Sequence, residues 1–351
     1  FYGLNRPQKD SYLYTAIIVN DVEIVDFLVS NGVEITNVAI LLAIQLNRIA
    51  MLEIILKSDS FQTTQLENSV NVEDVATMSS EIADVLTIAD DPIKGELAPL
   101  AVAVRNCQKD IVEKLVEFGA DPIHRFEPIQ NTALGIAIRC STCEIVRFLM
   151  NKANNSSSHE PHSFIHLAAQ ALIKQETPNF EMMTTLLETG CNINETDYEG
   201  KTLLILAIEK DCDALIDFVI DNEKFVSYDF EGSGRNSRKS ALTCAVAAGK
   251  IDLAKKLLNI PCNTEGGLET PLGKAIENSN VEMIQLLIDF GCDVNLDYRV
   301  GRGSISEVVR NCVPLVAAVK SLTFDIVQIL VAAPNCDVDI LDPITMRTAL
   351  S

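Results

Sequence analysis

Short apolar helical stretches separated by polar turns recur along the chain, and residues 270–295 show the pattern most completely. Thr270 and Pro271 suit a helix start, because threonine can accept a hydrogen bond from a free N–H and proline at the first position removes no intrahelical donor. Asn280 predicts the cap of a second helix, and Gly291 suits the left-handed position after it. Both helices are too apolar to stand alone, so this helix pair needs copies of itself on either side.

The copies are found by aligning the chain on Ala275, which we call an anchor alanine. Eight further anchors follow the same local pattern: Ala16, Ala43, Ala103, Ala137, Ala168, Ala207, Ala245 and Ala318. A glycine sixteen residues after the anchor closes the unit at Gly32, Gly119 and Gly291. The repeat resembles the ankyrin repeat, with its period of ~33 residues and its T-P-L-H-x-A signature.

This resemblance covers nearly the whole chain and implies an all-α fold. We expect one α-solenoid over residues 1–351, built of stacked helix–turn–helix repeats that are joined by β-hairpin-like loops. The repeats are predicted near residues 11–36, 38–59, 98–123, 132–154, 163–194, 202–224, 240–263, 270–295 and 313–339, with a partial repeat from residue 348. Residues 61–95 are either a degenerate repeat or an acidic insert, since two anchors there lie 60 residues apart.

Charge and composition narrow the class of partner. The formal net charge of −21 argues against nucleic acid and anionic membrane surfaces, both of which need basic patches. No apolar run approaches the ~20 residues of a membrane span, so we expect no membrane insertion by this fragment. Ten cysteines, several at repeat positions, are best explained as reduced thiols of a cytoplasmic protein.

Candidate chemistry is weak everywhere. His159, His162 and His166 cluster, but His166 occupies the histidine slot of the signature and the other two lie in a polar linker without zinc spacing. Residues 140–143 form a lone CxxC, and residues 232–240 lack the glycine that a phosphate-binding loop needs before its lysine. We therefore predict no metal, no cofactor, no small-molecule substrate and no enzymatic activity.

Basic residues collect in two long loops, which makes these loops the predicted partner-binding surface. Insertions in solenoids fall in loops on one face, often the face that binds. Arginine and aromatic residues are typical of interface anchors. The predicted contact residues are Tyr198, Tyr228, Arg235, Arg238, Lys239, Tyr298, Arg299 and Arg302. The alternative is that the loops are mobile and their arginines are merely solvated.

Three functions remain open on these grounds. The favoured one is a non-catalytic scaffold that binds a protein partner, with an acidic surface, through the hairpin loops and the concave face. The alternatives are a structural part of a cytoskeletal or membrane-channel assembly, and the recognition arm of an enzyme whose catalytic domain lies outside this fragment. Residues 348–351 resemble the opening of a tenth repeat, so we expect the native array to continue or a further domain to follow.

Overall fold

The fold forms two compact units, residues 1–191 and residues 192–351, each of which is described by itself. The computed structural model describes residues 6–67, 98–126, 131–140, 142–153, 164–174, 179–197, 199–222, 240–259, 270–300, 310–341, 346 and 348–349. Within these residues the only strands form two short hairpins, so the all-α prediction is confirmed. The prediction of one uninterrupted array over residues 1–351 stays a prediction.

The first unit contains five helix pairs and one short hairpin among its described residues. Its helices are α1 (Arg6–Val19), α2 (Val22–Ser30), α3 (Asn37–Gln45), α4 (Ile49–Leu56), α5 (Thr64–Glu67), α6 (Pro99–Arg105), α7 (Lys109–Glu117), α8 (Ala133–Cys140), α9 (Cys143–Ala153), α10 (Phe164–Leu172) and α11 (Glu181–Glu188). Strands β1 (Arg125–Phe126) and β2 (Asn131–Thr132) pair antiparallel between α7 and α8. The first helix extends five residues further toward the N-terminus than the repeat predicted from residue 11.

The second unit contains four helix pairs and a second hairpin in its described part. Its helices are α12 (Leu203–Glu209), α13 (Asp213–Ile220), α14 (Ala241–Ala247), α15 (Ile251–Leu258), α16 (Pro271–Glu277), α17 (Val281–Asp289), α18 (Pro314–Lys320) and α19 (Phe324–Ala332). Strands β3 (Tyr298–Val300) and β4 (Arg310–Cys312) pair antiparallel between α17 and α18. In both units the first helix of each pair packs on the first helix of the next, so the pairs stack in chain order.

The anchor alanines lie where these first helices meet. All of them are buried, with exposed fractions between 0 and 5%: Ala16, Ala43, Ala103, Ala137, Ala168, Ala207, Ala245, Ala275 and Ala318. Because alanine adds only a methyl group to the helix, it lets neighbouring backbones approach closely without a void. The anchors that the sequence alignment identified are therefore core positions of the described helices.

In seven of the described helix pairs the turn has a backbone geometry that the hydrophobic pattern did not predict. A residue four positions after the anchor adopts a left-handed conformation at Asn20, Asn47, Cys107, Asp211, Gly249, Ser279 and Leu322. The next N–H then donates to the anchor carbonyl, as from Lys250 to Ala245 and from Asn280 to Ala275, each at 3.0 Å. This bond satisfies a carbonyl that the helix end would otherwise leave without a partner.

Helices on either side of the predicted gap are direct neighbours. Helix α3 packs on α6, Gln108 Nε2 donates to the Ile44 carbonyl at 2.8 Å, and Lys114 Nζ lies 3.3 Å from a Glu53 carboxylate oxygen. The second and third described helix pairs are therefore in direct contact. Whether residues 61–95 form a degenerate repeat or an acidic insert stays a prediction, since residues 68–95 lie outside the described part.

Substitution of leucine at Ala245 tests the stacking. Ala245 is 0% exposed in α14, so a larger side chain would strain the interface with its neighbours and lower the free energy of unfolding by ~1–3 kcal/mol. Ala247→Leu is the matched control, since Ala247 lies two residues further along α14 and is exposed. Urea unfolding followed by circular dichroism measures both variants. A neutral Ala245→Leu would show that the register of this repeat is wrong.

Candidate functional site

The second long loop begins and ends as a paired hairpin. Strands β3 and β4 place Tyr298 opposite Cys312, Arg299 opposite Asn311, and Val300 opposite Arg310. The backbone register thus brings Arg299, a predicted contact residue, and Arg310 onto adjacent strands of one hairpin. The loop between these strands, residues 301–309 with Arg302, lies outside the described residues.

The hairpin is anchored at its base by Tyr298. This side chain is only 3% exposed, and its ring lies directly over the backbone of Gly273 in α16. A Cβ atom at position 273 would overlap the ring and would lie 2.8 Å from Thr270 Oγ1. The expectation that Tyr298 provides exposed aromatic surface is therefore corrected, because burial in the second unit makes it a structural anchor.

Burial also changes the acidity of this tyrosine. The loss of hydration raises the pKa of Tyr298 above its ordinary value, and the neighbouring Cys312 and Glu277 raise it further. Loss of hydration disfavours the ionised phenol, because a charge is costly to bury. Tyr298 therefore keeps its proton to higher pH than an exposed tyrosine does, and its ring packs as part of the core.

Further hydrogen bonds hold the segments that support the hairpin. Thr270 Oγ1 accepts from the Gly273 N–H at 3.0 Å and caps α16, as its sequence position predicted. Asn295 Nδ2 donates to the Asn335 carbonyl at 2.7 Å, and Asn295 Oδ1 accepts from the Asp337 N–H at 2.9 Å. These bonds fix the chain just before β3 to the segment that follows α19.

A shorter turn at residues 196–202 is stabilised by Asp197 and Gly200. Asp197 Oδ1 accepts from the Glu199 and Lys201 N–H groups, both at 2.9 Å, and Gly200 adopts a positive φ of 82°. Thr196 and Thr202 form a single β-bridge across the turn. Tyr198, the predicted contact residue in this turn, lies outside the described residues.

The structure describes little of the remaining predicted contact residues. Tyr228, Arg235, Arg238 and Lys239 lie outside the described residues, as does Arg302. Arg299 is placed by its backbone in β3, and nothing further is described of its side chain. Their role in partner binding stays a prediction.

Several basic side chains of the helical bodies pair with carboxylates. In the first unit Lys109 pairs with Glu144 at 3.1 Å, and Arg147 pairs with Glu188 at 2.9 Å. In the second unit equivalent pairs connect neighbouring outer helices or flank a turn: Lys250 with Asp211, Lys256 with Asp217, and Lys201 with Glu199 and Glu209. Each such surface pair contributes at most about 1 kcal/mol, but it also offsets the positive charge of the lysine or arginine in it.

The other candidate sites are placed as follows. His166 is 2% exposed within α10, while His159 and His162 lie outside the described residues. Cys140 ends α8 and Cys143 begins α9, so the CxxC is the turn of one helix pair. No group of three or more histidine, cysteine or acidic side chains in the described ranges is arranged to hold a metal ion.

Comparison with known families identifies the repeat. The family model described as ankyrin repeats (3 copies) matches residues 165–266 and 242–342, which together span half of the chain. The chain belongs to the ankyrin repeat family. Ankyrin repeats generally mediate protein–protein interaction, and the fold is typically a non-catalytic scaffold.

Three relatives are similar to the chain over part of their length. The chain is 25% identical to FPV022, an ankyrin repeat protein of fowlpox virus, over 62% of this chain and 35% of that protein. It is 22% identical to the human transient receptor potential cation channel subfamily A member 1 (56% of this chain, 18% of the channel). It is 26% identical to leucine-rich repeat serine/threonine-protein kinase 1 of Caenorhabditis elegans (59% of this chain, 10% of the kinase). The chain thus spans about a third or less of each relative.

One solved structure aligns with much of the chain. The ankyrin repeat domain of Bcl-3, a member of the IkappaB protein family, aligns with a TM-score of 0.48 at 18% identity, over 71% of this chain and 96% of that domain.

Among the described residues, no helix combines the length and the apolar character that crossing a bilayer requires.

Sequence reasoning missed the anchoring role of Tyr298, although a signal was present. In the alignment on the anchors, Gly273 falls in the slot that holds His166 in another repeat. A glycine there leaves room that a neighbouring side chain must fill, because protein interiors contain few voids. The aromatic residue that follows in the next long hairpin fills this room.

Substitution of alanine at Gly273 tests this packing. Alanine normally stabilises a helix interior relative to glycine by ~1 kcal/mol, but here its methyl group would meet the Tyr298 ring and the Thr270 hydroxyl. We expect Gly273→Ala to lower the free energy of unfolding by ~1–3 kcal/mol. In a Tyr298→Ala background the same change should be neutral or stabilising. A double-mutant cycle by urea unfolding measures the coupling, and additive effects would contradict the contact.

The raised pKa of Tyr298 predicts a loss of stability in alkali. An unfolded tyrosine ionises near pH ~10, whereas the buried one holds its proton to higher pH, so the stability it provides is present below pH ~10 and lost as the pH rises further. We expect the urea midpoint of the wild type to fall more steeply above pH ~10 than that of Tyr298→Phe, which has no ionisable group there. Parallel pH profiles would count against this burial.

Proposed function

We propose that this ankyrin repeat chain is a non-catalytic scaffold that binds a protein partner through its hairpin loops and concave face. The observation that carries the proposal is the anchored hairpin of residues 298–312. A loop whose base is fixed loses less conformational entropy on binding than one that is free throughout. The buried Tyr298 and the Asn295 bonds restrain this base, which supports a binding role for the loop they hold.

Charge supports the choice of the two long loops over the helical bodies. Many lysines and arginines of the described helices already pair with carboxylates, so they add little net positive potential. Arg235, Arg238 and Lys239 in one loop and Arg299 and Arg302 in the other would then offer positive charge to a partner. Arginine suits this role because its planar guanidinium can hold a carboxylate through two hydrogen bonds. The partner that fits is a protein with an acidic surface. The rest of this acidic chain would repel such a partner, so the basic residues of the loops would determine where it docks.

The remaining contact residues belong to this proposal as well. Tyr228, in the same loop as Arg235, and Tyr198, in a separate shorter hairpin, would supply apolar contact beside the charged groups. The cytoplasm is the proposed compartment, because nine described cysteines are free thiols and three of them are buried.

Two alternatives keep specific support from the relatives. One relative is named as a cation channel and another as a protein kinase, which are the two kinds of larger protein that the sequence analysis considered. The chain would then serve as a structural part of a channel assembly or as the recognition arm of an enzyme. The mass of the native polypeptide and the proteins that co-fractionate with it separate these alternatives from a free-standing scaffold.

Charge reversal in the two loops tests the proposal. The variant Arg235→Glu/Arg238→Glu/Arg302→Glu should keep the helical circular dichroism signal, because the three residues lie outside the described helices. We expect it to associate with the native partner, isolated by pull-down and identified by mass spectrometry, about tenfold or more slowly at low salt. The difference should shrink at high salt, since screening weakens interactions between exposed charges.

A second variant separates local from global charge. Lys152→Glu/Lys174→Glu/Lys210→Glu changes the net charge by the same amount at three exposed positions outside both loops. We expect it to associate nearly as fast as the wild type. Two results would show that the loops are solvated hairpins that bind no partner. Either the loop variant and the wild type associate at the same rate at low salt, or both variants slow association equally.

A further inference from the structure

The turn edge of the last three helix pairs carries exposed apolar side chains. Val281 at the start of α17 is 39% exposed, Leu322 is 90% exposed, and Phe324 at the start of α19 is 75% exposed. Ile251, at the start of α15, occupies the same repeat position as Val281 and Phe324 and is partly exposed. We call these four residues the turn ledge. Single exposed apolar residues are common, but several at one edge of consecutive repeats mark a binding surface.

The repeats that carry the turn ledge are direct neighbours. Helix α14 packs on α16, α16 packs on α18, and α17 packs on α19. The turns of the first two repeats also touch, since Asn278 Nδ2 donates to the Ala247 carbonyl at 3.2 Å. Equivalent positions therefore follow one another along the same edge of the second unit.

Leu322 departs from its equivalents in a way that folding does not favour. It adopts a left-handed φ of 56°, at the position that holds asparagine, aspartate, serine, cysteine or glycine in the other described turns. A leucine gains nothing in this conformation, because its side chain makes no local hydrogen bond and its Cβ is crowded. It is also almost fully exposed, so it buries no apolar surface in return. An unfavourable, exposed leucine at this point is consistent with selection for contact with another molecule.

Acidic side chains border the turn ledge. Asp252, Glu282 and Asp325 each directly follow a ledge residue and are exposed. No hydrogen bond or ion pair engages their carboxylates in the part of the chain that the structure describes. Two lysines lie near these carboxylates. Lys250 is already paired with Asp211, and Lys320 lies two residues before Leu322. One further lysine does not offset three carboxylates, so the border keeps a net negative charge.

We propose that the turn ledge docks a cationic amphipathic segment of a protein partner. Its apolar side chains would cover Leu322, Phe324 and Val281, while its lysines or arginines would pair with the carboxylates on the border. A second copy of this chain fits less well, because a net charge of −21 opposes self-association, and an anionic membrane is repelled for the same reason. This surface lies in the turns within the helix pairs and uses none of the hairpin arginines, so it is independent of the function proposed above.

Binding of a defined probe tests the proposal. The probe is a short fluorescent peptide of leucine and lysine arranged as an amphipathic helix, and the comparison peptides replace its leucines by serine or its lysines by glutamate. We expect the leucine–lysine peptide to bind the wild type, and to bind Leu322→Asn/Phe324→Ser about tenfold or more weakly by fluorescence anisotropy. The matched control Val19→Ser removes a 70% exposed apolar side chain of α1 and should bind as the wild type does.

A stability measurement accompanies the binding measurement. Because asparagine tolerates the left-handed conformation, Leu322→Asn alone should raise the thermal unfolding midpoint by about 1–2 °C while it weakens the peptide. Glu282→Gln/Asp325→Asn should weaken the peptide severalfold at low salt and have little effect at high salt.

Four outcomes would overturn the proposal. The first two concern the peptides: the leucine–lysine peptide binds the wild type and Leu322→Asn/Phe324→Ser with equal affinity, or the leucine–glutamate peptide binds as well as the leucine–lysine peptide. The third is that the wild type self-associates in sedimentation and the double variant does not. The fourth is that vesicles with anionic lipid bind through the same residues. Retained peptide binding by the charge-reversed hairpin variant is expected, since the two surfaces are separate.

Discussion

Close approach of neighbouring first helices is the constraint on which the rest of the structure depends. Each helix pair is too short and too apolar to fold alone, so its stability comes from the pair stacked beside it. In each unit the anchor alanines are buried in the first helices, where their small side chains leave space for that stacking.

The turns repeat as strictly as the helices, and their exceptions are informative. In seven of the described helix pairs one backbone bond closes the turn onto its anchor carbonyl, and in six of them a small or polar residue occupies the left-handed position. Leu322 keeps the bond but breaks the residue preference. Gly273 breaks the helix preference in the same way, and there the reason is visible, because the Tyr298 ring occupies the space of its missing side chain. Departures from the repeat thus occur where something other than the repeat itself needs room or contact.

Much of the fold was predictable because it depends on local, periodic signals. The anchor alanines, the caps at Thr270 and Asn280, and the turn at Asp197 each follow from one short segment of sequence. The burial of Tyr298 was not predictable in this way, since it depends on a glycine twenty-five residues earlier in the chain. The direct contact of α3 and α6 across a 60-residue spacing was equally hidden, because spacing alone cannot tell an inserted segment from a weak repeat.

Native-state hydrogen exchange of the turn amides tests the stacked-pair account most directly. The N–H groups of Cys212, Lys250 and Asn280 lie just outside helices, yet each donates to a buried anchor carbonyl at 3.0 Å. The account predicts that these amides are as strongly protected as those within α14 and α16, because all of them open only when the stack opens. Exchange of the three turn amides at the rate of an unstructured loop, while the helix interiors stay protected, would contradict it.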